Sequence, residues 1–467
     1  MRSWIKKTLL GISSTVVGLG IIVLPFLIFV QPSNEFVFGN FQSYMSDNVK
    51  DDLSSRYKIN WQYYGSNAEI PTYIQNKTLD LAIATNNMIA QLAMSDQLLP
   101  IPWDEFNLTK NDGSKINSYK DLNGFVSDAT WWLSKTIGGK IKLPNVDGEP
   151  CDNLLAYCVP YFLQDFTFSY RGKKIKELSN ESISFKAIFD HISNDAEFTS
   201  KESNVMMIDD SRSVYDIARF VSDASDINPS PGILNSGADL NSAIAPSIQN
   251  LNNTYDNIAK YYTNKKKRNI LTFNSDSSIV LNKIALNQTK GAFMYNGDAI
   301  YAAMGGDNES DQNGLPQFGA NQDFYSIVPK INFYALDGVV INKSIDPNKK
   351  KSAIEIIKSL CLSGLQQGEI ISEKDPTTDD YKYLSAQNFS FLNYTPCYQS
   401  LYEYAIDPSE NGYFSQTGIE DNAQKQLLID LIKINSDQIK QENIELPVTE
   451  LTKSNINLAY LDFKNKI

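Results

Sequence analysis

The sequence predicts an α/β protein carried behind one N-terminal membrane-spanning helix. Three observations predict it. An uncharged, mostly apolar stretch of 23 residues, Thr8 to Val30, opens the chain. Behind it, short apolar runs alternate with segments whose apolar residues recur at helical spacing. The 467 residues are 42% hydrophobic and 21% charged, a balance that can bury a large core.

The opening stretch is long enough to cross a bilayer. Arg2, Lys6 and Lys7 precede it, and no basic residue follows until Lys50. That asymmetry places the N-terminal tip in the cytoplasm and the rest outside. No Ala occurs before Ala68 and no Cys before Cys151, so an A-x-A cleavage site and a lipid-bearing cysteine are both missing. The expectation is an uncleaved signal anchor over residues 1–34.

The elements follow in order. Phe36 to Phe38 reads as a strand just after the tether. Ser66 and Glu69 have the spacing of a capping box. Leu81 to Ala84 reads as a short buried strand, closed by Thr85-Asn86-Asn87. Phe185, Ile188, Phe189 and Ile192 form one apolar helix face, with His191 beside it. Val214, Ile217, Ala218 and Val221 mark another helix. Gly291 to Tyr295 and Gly338 to Ile341 read as strands, and Ala353, Ile354, Ile357 and Leu360 as a helix. Leu108 to Cys151, Met304 to Asp323 and Asp407 to Gly418 read as loops or insertions. Gln424 to Ile467 reads as mostly helical, interrupted by Pro447.

Composition excludes several classes. The formal charge of −12 is the wrong sign for a nucleic-acid binder. The single histidine, His191, rules out two-histidine zinc chemistry. No P-loop, GxSxG or helix-opening GxGxxG occurs, so no enzyme is expected. The acidic run Asp307 to Gly314 lacks the closing Glu of a calcium loop, and no metal or cofactor is implied. Of four cysteines, Cys151 and Cys158 suit a local disulfide or two buried thiols.

The chemistry-bearing candidates are carboxylates beside aromatics. Asp337 stands alone in the apolar run Phe333 to Ile341, where a buried charge needs a partner. Asp210 sits where a strand hands over to the Val214 helix, as a ligand group or as that helix's cap. Tyr295-Asn296-Gly297-Asp298 closes the Gly291 strand. Phe41, Tyr44, Tyr295, Tyr334 and Tyr394 accompany these positions. Carboxylates ringed by aromatic faces suit an organic ammonium ion.

Read in order, these segments resemble the spermidine/putrescine-binding proteins of ABC importers. The matching stretches are Phe36 to Tyr44, Tyr64-Gly65-Ser66-Asn67, Asp80 to Thr85, Val159-Pro160-Tyr161, Asp209-Asp210-Ser211-Arg212, Tyr295-Asn296-Gly297, Asp337 and Tyr394-Thr395-Pro396. The resemblance implies a two-lobe periplasmic-binding-protein-like fold (type II) with ligand in the interlobe cleft. Its lobes would be 35–170 plus 335–398, and 171–334 plus 399–467. It implies that Asp337 and Asp210 hold amino groups and that Phe41, Tyr44, Tyr295 and Tyr394 pack on the methylene chain. Thr85 and Asn87 fall on polar cleft positions. A family glutamate is Ser213 here, and a tryptophan is Ala335 with Tyr334 adjacent. Asp165 and Asp298, both beside cleft motifs, are candidates to replace the lost charge.

The implied protein is a monomeric receptor that delivers a polyamine to an ABC permease and its ATPase. The uncleaved anchor fits the membrane-anchored form of a wall-less bacterium such as a mollicute. A receptor for another small molecule, or a surface adhesin that kept the fold, stay open as alternatives.

Overall fold

In the computed structural model, residues 35–178, 183–199, 205–221, 245–262, 271–305, 323–377, 380–417, 419, 421–440 and 443–467 are described. The predicted anchor lies outside them. So do the Asp307 to Gly314 run and most of the insertion around it. Among the described residues no helix is long and apolar enough to cross a membrane.

The strands are β1 (Phe36–Phe41), β2 (Ile59–Tyr64), β3 (Leu81–Thr85), β4 (Leu108–Thr109), β5 (Lys115–Ile116), β6 (Val159–Arg171), β7 (Val205–Ile208), β8 (Leu271–Asn274), β9 (Gly291–Tyr295), β10 (Phe324–Ile327), β11 (Tyr334–Ile341) and β12 (Thr395–Pro396). The main sheet runs β2-β1-β3-β11-β6-β9-β7-β8, with β10 and β12 also paired to β6. β1, β2 and β3 are parallel, as are β7, β8 and β9. Parallel strands are covered on both faces, which is why they read as unbroken apolar runs such as Leu81 to Ala84 and Val205 to Ile208.

β6 organises the molecule. All thirteen of its residues are buried. Its first part, Val159 to Asp165, pairs antiparallel with β11 and β12. Its second part, from Phe166 on, pairs with β9 and β10. One strand therefore belongs to two half-sheets, one built on β1–β3 and one on β7–β9.

Several expectations are corrected by packing. The stretch Leu108 to Cys151 is not a loop. It holds the β4–β5 hairpin and a helix, Asp128–Lys140, whose Ala129, Leu133 and Ile137 are buried. In the fold, Gly138 lets the helix meet the Asp152–Asn153 backbone, where a Cβ would come within 2.4 Å. Asp407 to Gly418 contains a short helix, Tyr413–Gln416, with Tyr413 and Phe414 buried. The C-terminal stretch is mostly helical, as expected, with helices at Asn422–Ile432 and Glu450–Lys466, a 3-10 turn at Ser436–Gln438 and Pro447 in the interval between them. Cys151, Cys158, Cys361 and Cys397 are all free, buried thiols.

Candidate functional site

The predicted residues collect at strand ends. Phe41, Tyr64 and Thr85 are the last residues of β1, β2 and β3, and Tyr295 is the last of β9. Open α/β sheets present their binding groups at such carboxyl ends. Asp337, in the middle of β11, pairs in register with Thr85 on one side and Phe162 of β6 on the other.

The Asp337 side chain is buried and held from one side. Tyr44 donates its hydroxyl to Oδ2 at 2.6 Å. Gln164 Nε2 donates to the same oxygen, and to the Tyr44 hydroxyl at 2.7 Å. Tyr44 is itself fixed, because its carbonyl accepts from Tyr161 Oη at 3.0 Å and Asn40 Nδ2 at 3.2 Å. The second carboxylate oxygen, Oδ1, is buried with no hydrogen-bond partner. Burial pushes the Asp337 carboxyl up to about 6, and Tyr44, Thr85 and Gln164 pull it back toward ionisation.

Aromatic rings wall this carboxylate. Tyr44 meets Phe41, Tyr161 and Tyr394 edge-on at centroid distances of 5.9, 5.4 and 5.4 Å. Phe41 in turn meets Tyr64 at 4.9 Å. Tyr394 links the two half-sheets. Its hydroxyl donates to Asp298 Oδ1 at 2.7 Å, on the Asn296–Ala303 helix that follows β9. Gly297 permits the contact, since a Cβ there would lie 2.5 Å from the Tyr394 ring. Burial pushes Asp298 up to about 6 as well, and its Oδ2 has no partner.

Other predicted residues go elsewhere. Asp210 caps the Ser211–Phe220 helix, accepting from Ser213 N at 2.7 Å. The Ser213 hydroxyl lies 3.1 Å from Tyr295 Oη. Tyr295 packs on Phe166 and Phe333, a ring group separate from that of Tyr44. Asp165 is buried where β6 passes between half-sheets, opposite Tyr334, and burial pushes its carboxyl well above the usual range. Tyr334 is buried too. His191 is mostly covered, with Nε2 3.4 Å from Asp195 Oδ2. Both residues line an open surface hollow of about 540 Å³ that includes none of the site carboxylates.

Glu445 escapes the sequence reading. It is buried, and its Oε2 accepts from Asn87 Nδ2 at 2.7 Å. Asn86 Nδ2 donates to the Glu445 carbonyl at 2.6 Å while Asn86 Oδ1 accepts from Leu336 N at 3.0 Å. The C-terminal segment thus lies one side chain away from the residue preceding Asp337. On its other side Arg212 Nη2 donates to Leu446 O at 3.1 Å. Burial raises the Glu445 carboxyl, Arg212 and Arg219 oppose the rise, and Asp216 and Asp210 add to it. Arg219 and Asp216 form a buried ion pair at 3.3 Å. The signal was present: Glu445 is the lone charge in Ile444-Glu445-Leu446-Pro447-Val448, the same pattern that marks Asp337.

Residues 6–443 match the sequence pattern of the hypothetical lipoproteins of the MG045 family. The chain belongs to that family. Glu445 lies just past the matched region. No curated protein matches the chain. Among solved structures it is similar to a Listeria monocytogenes protein described as a spermidine/putrescine ABC transporter. The TM-score is 0.53 at 14% identity, covering 92% of this chain and 99% of that one. It is also similar to the spermidine/putrescine ABC transporter substrate-binding protein PotD of Streptococcus pneumoniae (TM-score 0.51, 14% identity, 93% and 99% covered). A third is the Tp0655 (TpPotD) lipoprotein of Treponema pallidum (TM-score 0.50, 10% identity, 92% and 99% covered). At these identities the likeness establishes the fold, a mixed α/β fold of the two-lobe solute-binding kind.

Proposed function

We propose that this family member is the solute receptor of an ABC importer and that its solute is an organic ammonium ion of the polyamine class. Asp337 anchors the charge, and Phe41, Tyr44 and Tyr394 cover the alkyl chain. The observation that carries this reading is the free, buried oxygen of Asp337 inside a wall of rings. An uncompensated buried carboxylate is costly, and a cation from solvent removes that cost. Ring faces add about 0.5–2 kcal/mol each for a cation they meet. No proton need be moved and no bond made, so the site suits capture and release rather than catalysis.

The lobes are 35–170 plus 335–398 and 171–334 plus 399–467, a division supported by the two half-sheets that β6 joins. Thr8 to Val30 tethers the receptor to the membrane with the lobes outside, and a permease with its own ATPase receives the solute. A different small solute is the second reading. It is favoured by Asp210, one of whose carboxylate oxygens is taken by Ser213 N of its own helix.

Calorimetric titration of the full chain in detergent micelles tests the proposal. The panel is putrescine, spermidine, spermine, lysine and a simple sugar. Saturable polyamine binding is expected, weakened at least tenfold in Asp337→Asn, the loss of one charge-assisted hydrogen bond of about 1.5–3 kcal/mol. A folded chain that binds the sugar or lysine and no polyamine sinks the polyamine reading.

A further inference from the structure

Asp337 has a near-copy across the site. Two buried aspartates, 2% and 9% exposed, each receive one tyrosine hydroxyl on one oxygen. Tyr44 serves Asp337 at 2.6 Å and Tyr394 serves Asp298 at 2.7 Å. The two tyrosine rings touch, with centroids 5.4 Å apart and planes at 76°. The second oxygen of each aspartate is buried and unpartnered. Buried carboxylate oxygens ordinarily find donors, so two orphans at the ends of one tyrosine pair point to a missing molecule with a donor at each end.

We propose that Asp298 is the second acidic anchor of the site and that the ligand carries two ammonium groups, one on Asp337 Oδ1 and one on Asp298 Oδ2. Its alkyl chain crosses the edges and faces of Tyr44 and Tyr394. The inference rests on the amine reading of the Asp337 site and adds the residue that holds the ligand's second ammonium group. It also chooses between the two acids that sequence offered as replacements at the Ser213 position. Asp165 has an orphan oxygen too, yet among the described residues no tyrosine hydroxyl meets it, and it sits opposite Tyr334 inside the sheet. Asp298 sits instead in the first turn of the Asn296–Ala303 helix, facing Tyr394.

The test is titration of the full chain in detergent micelles with putrescine and with butylamine, which keeps the chain and drops one charge. Wild type is expected to prefer putrescine by at least tenfold. Asp298→Asn is expected to weaken putrescine about 10- to 100-fold, and butylamine less than about threefold, so that the preference vanishes. Asp337→Asn is expected to weaken both amines. Tyr394→Phe keeps the ring that covers the alkyl chain and frees Asp298 Oδ1, so it should change putrescine affinity by a larger factor than butylamine affinity. It also serves should Asp298→Asn fail to fold. Putrescine affinity unchanged in Asp298→Asn, or an equal loss for both amines, overturns the second anchor while leaving the amine site standing. A wild type that binds butylamine as tightly as putrescine overturns it likewise. A wild type that binds neither amine removes the parent reading and this one together.

Discussion

At the scale of single residues, the proposed site holds two buried carboxylates with unsatisfied oxygens. Asp337 and Asp298 both have carboxyls pushed up to about 6 by burial. An unfolded aspartate titrates near 3.9. The folded groups therefore bind protons more tightly than the unfolded ones. Stability contributed in this way is greatest below about pH 4, falls as pH rises to about 6, and is flat above. The groups around them are the phenols of Tyr44, Tyr394 and Tyr295 and the amide of Gln164, none of which changes charge in that window. The ligand-free chain is thus expected to melt higher at pH 5 than at pH 7, with the two aspartates contributing about 1 kcal/mol each. The Asp337→Asn/Asp298→Asn double variant should lose the share of that slope these two groups supply and keep the share from Asp165, Asp216 and Glu445, whose carboxyls burial also raises. Parallel pH profiles for the two proteins would refute the account. Amine binding should show the opposite trend, weakening as pH drops below about 6, because protonated carboxyls hold no cation.

At the scale of elements, the site depends on how strand ends are tied together. Asn86 opens the Asn86–Met94 helix, yet its side chain looks outward to two other elements, accepting from Leu336 N and donating to Glu445 O. Asn86→Ala leaves a buried N–H and a buried carbonyl without partners. The expected cost is about 2–4 kcal/mol, read as a shift in the urea midpoint. A shift below about 0.5 kcal/mol would mean that the C-terminal segment is held by its apolar residues alone. The elements were legible where packing follows local periodicity. Phe185, Ile188, Phe189 and Ile192 are all buried on the Phe185–Asn194 helix, and Glu69 does accept from Ser66 N. The Asp128–Lys140 helix was not legible, because a glycine that breaks helices in isolation is here required by a neighbouring backbone.

At the scale of the whole molecule, the last helix closes the second half-sheet. Glu450–Lys466 stacks Phe463 on Tyr255 at 5.3 Å and brings Lys464 to Asp209 at 2.9 Å. A chain ending at Asn443, where the family match stops, would lose these contacts together with Glu445. It is expected to melt at lower temperature and to bind a hydrophobic dye that the full chain does not, since Tyr255 and Phe273 would face water. An unchanged melt would show that the C-terminal helix is dispensable to the fold.

The amino-acid sequence by itself determined the α/β class and the buried strands. Leu81 to Ala84 and Gly291 to Tyr295 are apolar because both faces of those strands are covered, and that need is written locally. A lone acid in an apolar run marks Asp337 for the same reason. Only the tertiary structure decided which acids do what. Asp210 accepts from Ser213 N on Oδ1 as a helix cap, while Asp298 and Asp337 each keep a buried oxygen without a partner. Glu445 reaches Asn87 across 358 residues of chain. Periodicity reports whether a side chain is buried, but whether a buried charge is satisfied depends on partners that only folding brings within about 3 Å.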